Sequence, residues 1–135
     1  MFSYKGCDIG VFLSNANFDP LNGGTDKQYK AVKLVTGKVD ATAANGDVVF
    51  GVLQDQPRAG YPCAVRVSGV SKMVAGEAIA LNAPVYLDGA TGKCLAGGAA
   101  VGARFLGTAL AACGGNNELV TVLLAEQNTF TSVKV

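Results

Sequence analysis

The sequence contains no histidine and no tryptophan among its 135 residues. Without histidine the chain lacks the commonest general base near neutral pH and the commonest neutral metal ligand. Charge is scarce as well. Only 16% of residues are charged, and 11 basic against 10 acidic side chains leave a formal net charge of +1. That balance provides no electrostatic footprint for nucleic acid or for an anionic membrane. Long apolar runs are missing too. Ile9–Leu13 is too short for the core of a secretory leader. Leu119–Ala125 is interrupted by Thr121 and is far too short to cross a bilayer. The expectation is a chain made in the cytoplasm of its cell. The four cysteines, Cys7, Cys63, Cys94 and Cys113, form no C-x-x-C pair, which argues against a zinc knuckle or a thioredoxin-like motif. A disulfide pair or a reactive thiol is one reading. The favoured one is small buried apolar residues in a reducing compartment.

What the chain has in quantity is glycine, with 18 residues, and apolar side chains, at 50%. A single domain of this length buries enough surface to fold without a metal or disulfide staple. Low charge and abundant glycine, alanine and valine read as short strands joined by tight turns, not as a helical bundle. Residues 1–27 stand apart. They hold Phe2, Tyr4, Phe12 and Phe18 among turn formers such as Asn15, Asp19, Pro20 and Gly23, with no sustained period. They read as an extended N-terminal arm that either docks on a partner or wraps its own domain. Residues 28–126 read as the folded domain and 127–135 as a polar tail.

Within the domain, Val32 and Leu34 alternate with Lys33, and Thr36-Gly37 turns the chain towards a return over Val39–Thr42. Asn45-Gly46 is a strong hairpin signal. Val48–Leu53 is apolar on both faces, so it is expected to be central or covered. Ala64–Val70 reads as one strand, and Ser71–Ile79 stays ambiguous. Val85–Leu87 and Lys93–Leu95 flank a longer hairpin loop. Phe105–Ala111 and Leu119–Leu124 complete the strands, and Gly97–Ala103 is a flexible loop or a close backbone contact. An internal echo runs through the chain. Phe50-Gly51-Val52-Leu53, a loop, then Val65-Arg66-Val67 resembles Phe105-Leu106-Gly107-Thr108, a loop, then Val120-Thr121-Val122. Glycine inside both strands suits a bend at a corner.

No constellation carries chemistry. Gly89–Cys94 has the wrong spacing for a P-loop, and Cys94 stands where a hydroxyl is needed. No G-x-S-x-G is present, and Ser71 and Lys72, as strand neighbours, point to opposite faces. Asp47, Asp55, Asp88 and Glu118 sit beside turns, as solvated acids do. Lys72 invites comparison with the modified lysine of biotin and lipoate carrier domains, but the methionine that precedes such a lysine is Ser71 here. Catalytic, cofactor-binding and metal-binding residues are therefore all read as none, with no small-molecule substrate.

Tyr29–Leu124 resembles the small capsid decoration, or cement, proteins of tailed bacteriophages. The resemblance rests on Phe50-Gly51-Val52-Leu53, the Gly60–Val70 segment, Gly76-Glu77-Ala78-Ile79, Val85–Gly89 with Thr91-Gly92-Lys93, Leu106–Leu110 and Val120–Leu124. It implies an all-β fold, a small β-barrel or β-tulip-like domain with the N-terminal arm attached. It also implies a structural virion protein on the outer capsid surface that clamps neighbouring major capsid protein subunits as a homotrimer at three-fold positions. The alternative is another small virion component of the tail or fibre. Phe2, Tyr4, Phe12 and Phe18 are the capsid-contact candidates, from their place on the arm. Val49, Leu53, Gly97 and Gly98 are the self-association candidates.

Overall fold

The computed structural model describes residues 7–125, 133 and 134. Apart from one 3-10 turn at Pro20–Asn22, its regular elements are all strands. The first sheet contains β1 (Asp8–Ile9), β2 (Ala31–Val35), β3 (Lys38–Ala41), β4 (Gly51–Leu53) and β5 (Val65–Arg66), in the order β1-β5-β4-β2-β3. The second contains β6 (Gly69–Val74), β7 (Pro84–Leu87), β8 (Cys94–Leu95), β9 (Phe105–Ala109) and β10 (Leu119–Leu124), in the order β6-β10-β9-β7-β8. Every paired strand is antiparallel to its neighbour. The chain is all-β and compatible with a tulip-like form. It is not a closed barrel among the described residues. Instead each sheet curls until its edges meet at one parallel bridge, Ser14 to Val39 in the first and Ala75 to Cys94 in the second.

The two sheets have the same topology, strand for strand. Their registers agree as well. Val32 faces Gly51 in one and Val85 faces Gly107 in the other. Leu53 faces Val65, and Ala109 faces Val122. The agreement extends to the loops. The Tyr29 N–H donates to the Leu53 carbonyl (2.7 Å), and the Asn82 N–H to the Ala109 carbonyl (2.9 Å). Both donors have positive φ, 62° and 68°. The Ser14 N–H reaches the Tyr61 carbonyl and the Ala75 N–H the Glu118 carbonyl, each at 2.8 Å. The chain is thus an internal duplication, with residues 8–67 and 69–125 as its halves. The sequence echo set Val65 beside Val120; the ladders set it beside Val122. That even shift keeps side chains on the same face, whereas the echo's other strand, which set Gly51 beside Leu106, is one residue out: the ladders set Gly51 beside Gly107.

Each half has its own apolar centre. In the first, Phe18, Val32, Val39, Leu53, Cys63 and Val65 form a small core. The larger core is built from Met73, Val85, Leu87, Leu106, Val122 and their neighbours in the second half, joined by Ala31, Val49 and Val52 from the first. Strand alternation explains the split. Ala31 and Val52 lie on one face of the first sheet, and Val32 and Leu53 on the other.

Several local expectations change. Asn45-Gly46 does not make a hairpin, because β3 and β4 are not neighbours: both pair with β2. The Asp47 N–H donates to the Ala44 carbonyl (3.1 Å) to close this turn, and the Asn45 side chain accepts from the Gly89 N–H (2.9 Å) across the halves. Tertiary bonding has overridden the local signal. Of Val48–Leu53, only Gly51–Leu53 is strand. Ala64–Val70 is two strands, not one. Gly69, the first residue of β6, sits at φ 83° and passes the chain from one sheet to the other, as only glycine does at little cost. The ambiguous Ser71–Ile79 contains most of β6. The Val85–Leu87 and Lys93–Leu95 hairpin is present as β7 and β8.

Thr36 and Gly37 form the two-residue turn between β2 and β3, with φ of 51° and 75°. Positive φ at both positions is the type I′ signature, which favours Asn-Gly. A β-branched residue is strained there. Thr36→Asn is expected to stabilise the chain by about 0.5–1 kcal/mol, read as a rise in melting temperature of roughly 2–5 °C. A fall would show that the Thr36 side chain contributes more than its backbone strain costs.

Candidate interaction surfaces

The structure separates the arm candidates. Phe2 and Tyr4 lie outside the described residues. Phe18 is buried in the first core at 2% exposure. Phe12 is half-buried and meets Phe50 edge to face, with centroids 5.3 Å apart and an interplanar angle of 86°. Residues 7–27 wrap their own domain. β1 adds to β5 through Asp8 and Arg66, the two side chains forming an ion pair at 2.8 Å. The Asn15 N–H donates to the Val39 carbonyl at 2.7 Å, and the Phe18 N–H to the Pro57 carbonyl at 2.8 Å. Asp19 caps the short 3-10 turn by accepting from the Leu21 N–H (3.0 Å), an element the sequence reading left as loop. Among the side chains the arm shows to solvent are two aliphatic ones, Val11 and Leu21, both strongly exposed.

The self-association candidates divide likewise. Val49 and Leu53 belong to the chain's own cores, so neither offers a side chain to a second copy. Of the two-sided apolar segment, Val49, Val52 and Leu53 are covered within the chain, whereas Val48 is 66% exposed. Gly97 and Gly98 are exposed. The loop holding them is braced from behind: the Glu77 carboxylate accepts from the Ala96 and Gly98 N–H groups at 2.7 and 2.9 Å. The Lys134 ammonium donates to the Gly97 and Ala99 carbonyls at 3.0 and 2.6 Å. Val133, from the tail, bridges Arg104; Phe130 lies outside the described residues.

The titratable groups serve the scaffold. Asp47 accepts from the Ala43 and Ala44 N–H groups at 2.7 and 2.9 Å and pairs with Lys33. These bonds hold its carboxyl below the usual range. A lowered folded pKa stabilises above the ordinary carboxylate pKa and is lost as pH falls through the folded value. Burial pushes Asp55 the other way. Burial also raises the Cys63 thiol to about 11 and the Cys94 thiol to about 12. Both stay protonated near neutrality and are poor nucleophiles. All four cysteines are free. No group of three or more metal-ligating side chains forms among the described residues. Lys72 stands in the middle of β6 opposite Thr121, not at a hairpin tip where a carrier lysine is presented. The Gly89–Cys94 segment is the β7–β8 hairpin loop running into the first residue of β8, with the Asp88 carbonyl accepting from the Thr91 and Gly92 N–H groups at 3.2 and 2.7 Å.

Several polar groups thus hold loops, while a number of leucine and valine side chains lie open at the surface. Such a molecule belongs to the class of small all-β proteins that work through their surfaces. Residues 25–124 match the family model described as phage cement protein, and the chain belongs to that family. Membership makes it a structural virion protein associated with a phage capsid. No curated protein matches the chain.

Proposed function

We propose that this chain decorates the outer surface of a phage capsid and stabilises the shell by clamping neighbouring major capsid protein subunits, without catalysis. The family match over residues 25–124 carries the reading. A homotrimer at three-fold positions is the assembly that lets one decoration protein touch several capsid subunits at once. Multivalency then makes individually weak contacts sufficient. The near-zero net charge supports close packing of many copies on one shell, since repulsion between them is small. On the arm, the exposed Val11 and Leu21, with Phe2 and Tyr4 ahead of them in sequence, are the proposed capsid contacts. Phe18 drops out of that set, since its ring lies in the core.

The test is the copy number of the chain in purified virions, measured by quantitative mass spectrometry against the major capsid protein. Trimers filling three-fold positions give about one copy per capsid subunit. A ratio of a few per cent would overturn the reading and place the chain in the tail or fibre.

A further inference from the structure

The contact between the two halves is one-sided. Ala31, Val49 and Val52 from the first half enter the core of the second. No residue of the second half enters the core of the first. In a duplicated fold this has a consequence for both halves. The second half carries a second copy of the inserting surface, which enters no core of the first half among the described residues, and the first half carries a second copy of the receiving one.

The registers identify both copies. Ala31 and Val52 correspond to Pro84 and Thr108. These lie on the outer face of the second sheet, where Pro84 is exposed and Thr108 half-buried. The residues that flank the inserting surface differ in a telling way. In the first half they are Gln54 and Arg66, which bond across the halves to the Ser71 hydroxyl (3.0 Å) and the Val70 carbonyl (3.1 Å). Their counterparts in the second half are Leu110 and Leu123, exposed at 42% and 47%. Leucine at these positions desolvates cheaply where a glutamine or arginine does not.

On the receiving side, Met73, Leu87 and Leu106 of the second half are 0–1% exposed. Their first-half counterparts are Phe12, Leu34 and Phe50. Leu34 is 39% exposed, and the two aromatic rings are half-buried. A backbone bond marks the same site. The Val74 N–H donates to the Tyr29 carbonyl across the halves at 2.9 Å. The counterpart pair, the Leu13 N–H and the Asn82 carbonyl, has no partner among the described residues. One bond does not repeat. The Ala31 N–H donates to the Gly92 carbonyl (2.8 Å), and Pro84 has no N–H to offer.

We infer that a second copy of this chain seats its Pro84–Thr108 surface on the Phe12–Leu34–Phe50 mouth of the first, continuing between chains the joint that already exists within each. The contact is head to tail, so it builds a ring where the rotation between copies closes and an open filament where it does not, and it is not a two-fold pair. Three copies would make a ring of six similar units. The joint rests on the burial and register pattern alone. Only the number three leans on the proposed function.

The test is sedimentation of the full chain, alongside Leu34→Asp and Thr108→Lys, up to roughly millimolar concentration. Wild type is expected to associate and each variant to stay monomeric. An equimolar mixture of the variants is expected to associate again, because it retains one intact surface of each kind. A monomeric wild type, a variant that associates like wild type, or a mixture that stays monomeric would each overturn the inference. None of these outcomes changes the virion copy number, so failure here is distinct from failure of the capsid reading. Should a variant melt more than about 5 °C below wild type, a photo-crosslinking residue at Leu34 replaces it. Crosslinks to residues 81–84 or 105–110 of another copy support the joint; crosslinks elsewhere overturn it.

Discussion

Phe18→Ala is expected to destabilise the chain by about 3–5 kcal/mol, the usual cost of emptying a fully buried aromatic site. For a chain of this length that lowers the melting temperature by roughly 10–20 °C. The argument is one of proportion. The first core has six buried members, Phe18, Val32, Val39, Leu53, Cys63 and Val65, and Phe18 is the largest of them. Its neighbours sit mostly on four short strands and cannot collapse far enough to fill the space, because β2 and β4 are fixed by their ladder. Phe18→Met, which keeps most of the volume, is expected to cost only about 1–1.5 kcal/mol. Calorimetry on the three chains checks this. An alanine variant that melts within about 2 °C of wild type would mean that the arm is not part of the fold. The same reasoning bears on removing residues 1–27. From sequence, that truncation is expected to leave the domain folded while abolishing capsid binding. With Phe18 in the core and Ser14 bridging Val39, it also removes the cover from β3 and the centre of the first half. Loss of capsid binding in such a truncation would therefore report on folding as much as on contact. Val11 and Leu21, both exposed, are the positions where the two effects separate.

Much of the fold was legible because period and turn chemistry are local. Val32–Lys33–Leu34, Val85–Leu87 and Leu119–Leu124 alternate visibly and are strands. Thr36-Gly37 turns the chain, and the echo between the strands of Gly51 and Gly107 marks a true duplication. The failures have one cause. Where a local preference met a tertiary bond, the tertiary bond won. Asn45-Gly46 reads as a hairpin turn, yet the Asn45 side chain and carbonyl bind Gly89 and Arg104 of the other half. Phe18 reads as a partner contact because exposed and buried aromatics look alike in a segment without a period. The signal that separates them is the Asn17-x-Asp19-Pro20 cap, which turns the chain back over the first sheet just after Phe18. Val49 and Leu53 were rightly read as covered, but sequence does not distinguish cover from the same chain and cover from another. The receiving mouth around Leu34 was not visible at all. It is defined by a difference in burial between equivalent residues, and burial is a property of the assembled fold.

Gly107→Ala carries the other large expected effect, about 4 kcal/mol or more. Gly107 lies on the central strand β9, at φ 155°, where the register between β7 and β9 shifts. A β-carbon there would fall inside the contact distance of the Leu123 carbonyl oxygen on β10 and would press on the Val122 side chain. The carbonyl belongs to the adjacent strand's backbone, so it does not rotate away. Relief requires β9 and β10 to part, which weakens bonds such as the Leu110 N–H to the Thr121 carbonyl (2.8 Å) and the Ala125 N–H to the Leu106 carbonyl (2.9 Å), each worth about 1 kcal/mol net. The same displacement opens the larger core behind Val122 and Leu106. Gly51, its counterpart, has the Arg66 carbonyl and the Val65 side chain in the equivalent place. Gly51→Ala should therefore act in the same direction on the first half. Gly46→Ala is the control: nothing lies within 4 Å of a β-carbon built there, and its φ is not positive, so its effect should stay within about 0.5 kcal/mol. Denaturant titration of the three variants is the measurement. Losses at Gly51 and Gly107 with none at Gly46 would show that the duplicated glycines are kept for the close approach of neighbouring strands. Equal, small effects at all three would show that the β9–β10 ladder shifts to make room, and that the bend at Gly107 is not required by the fold.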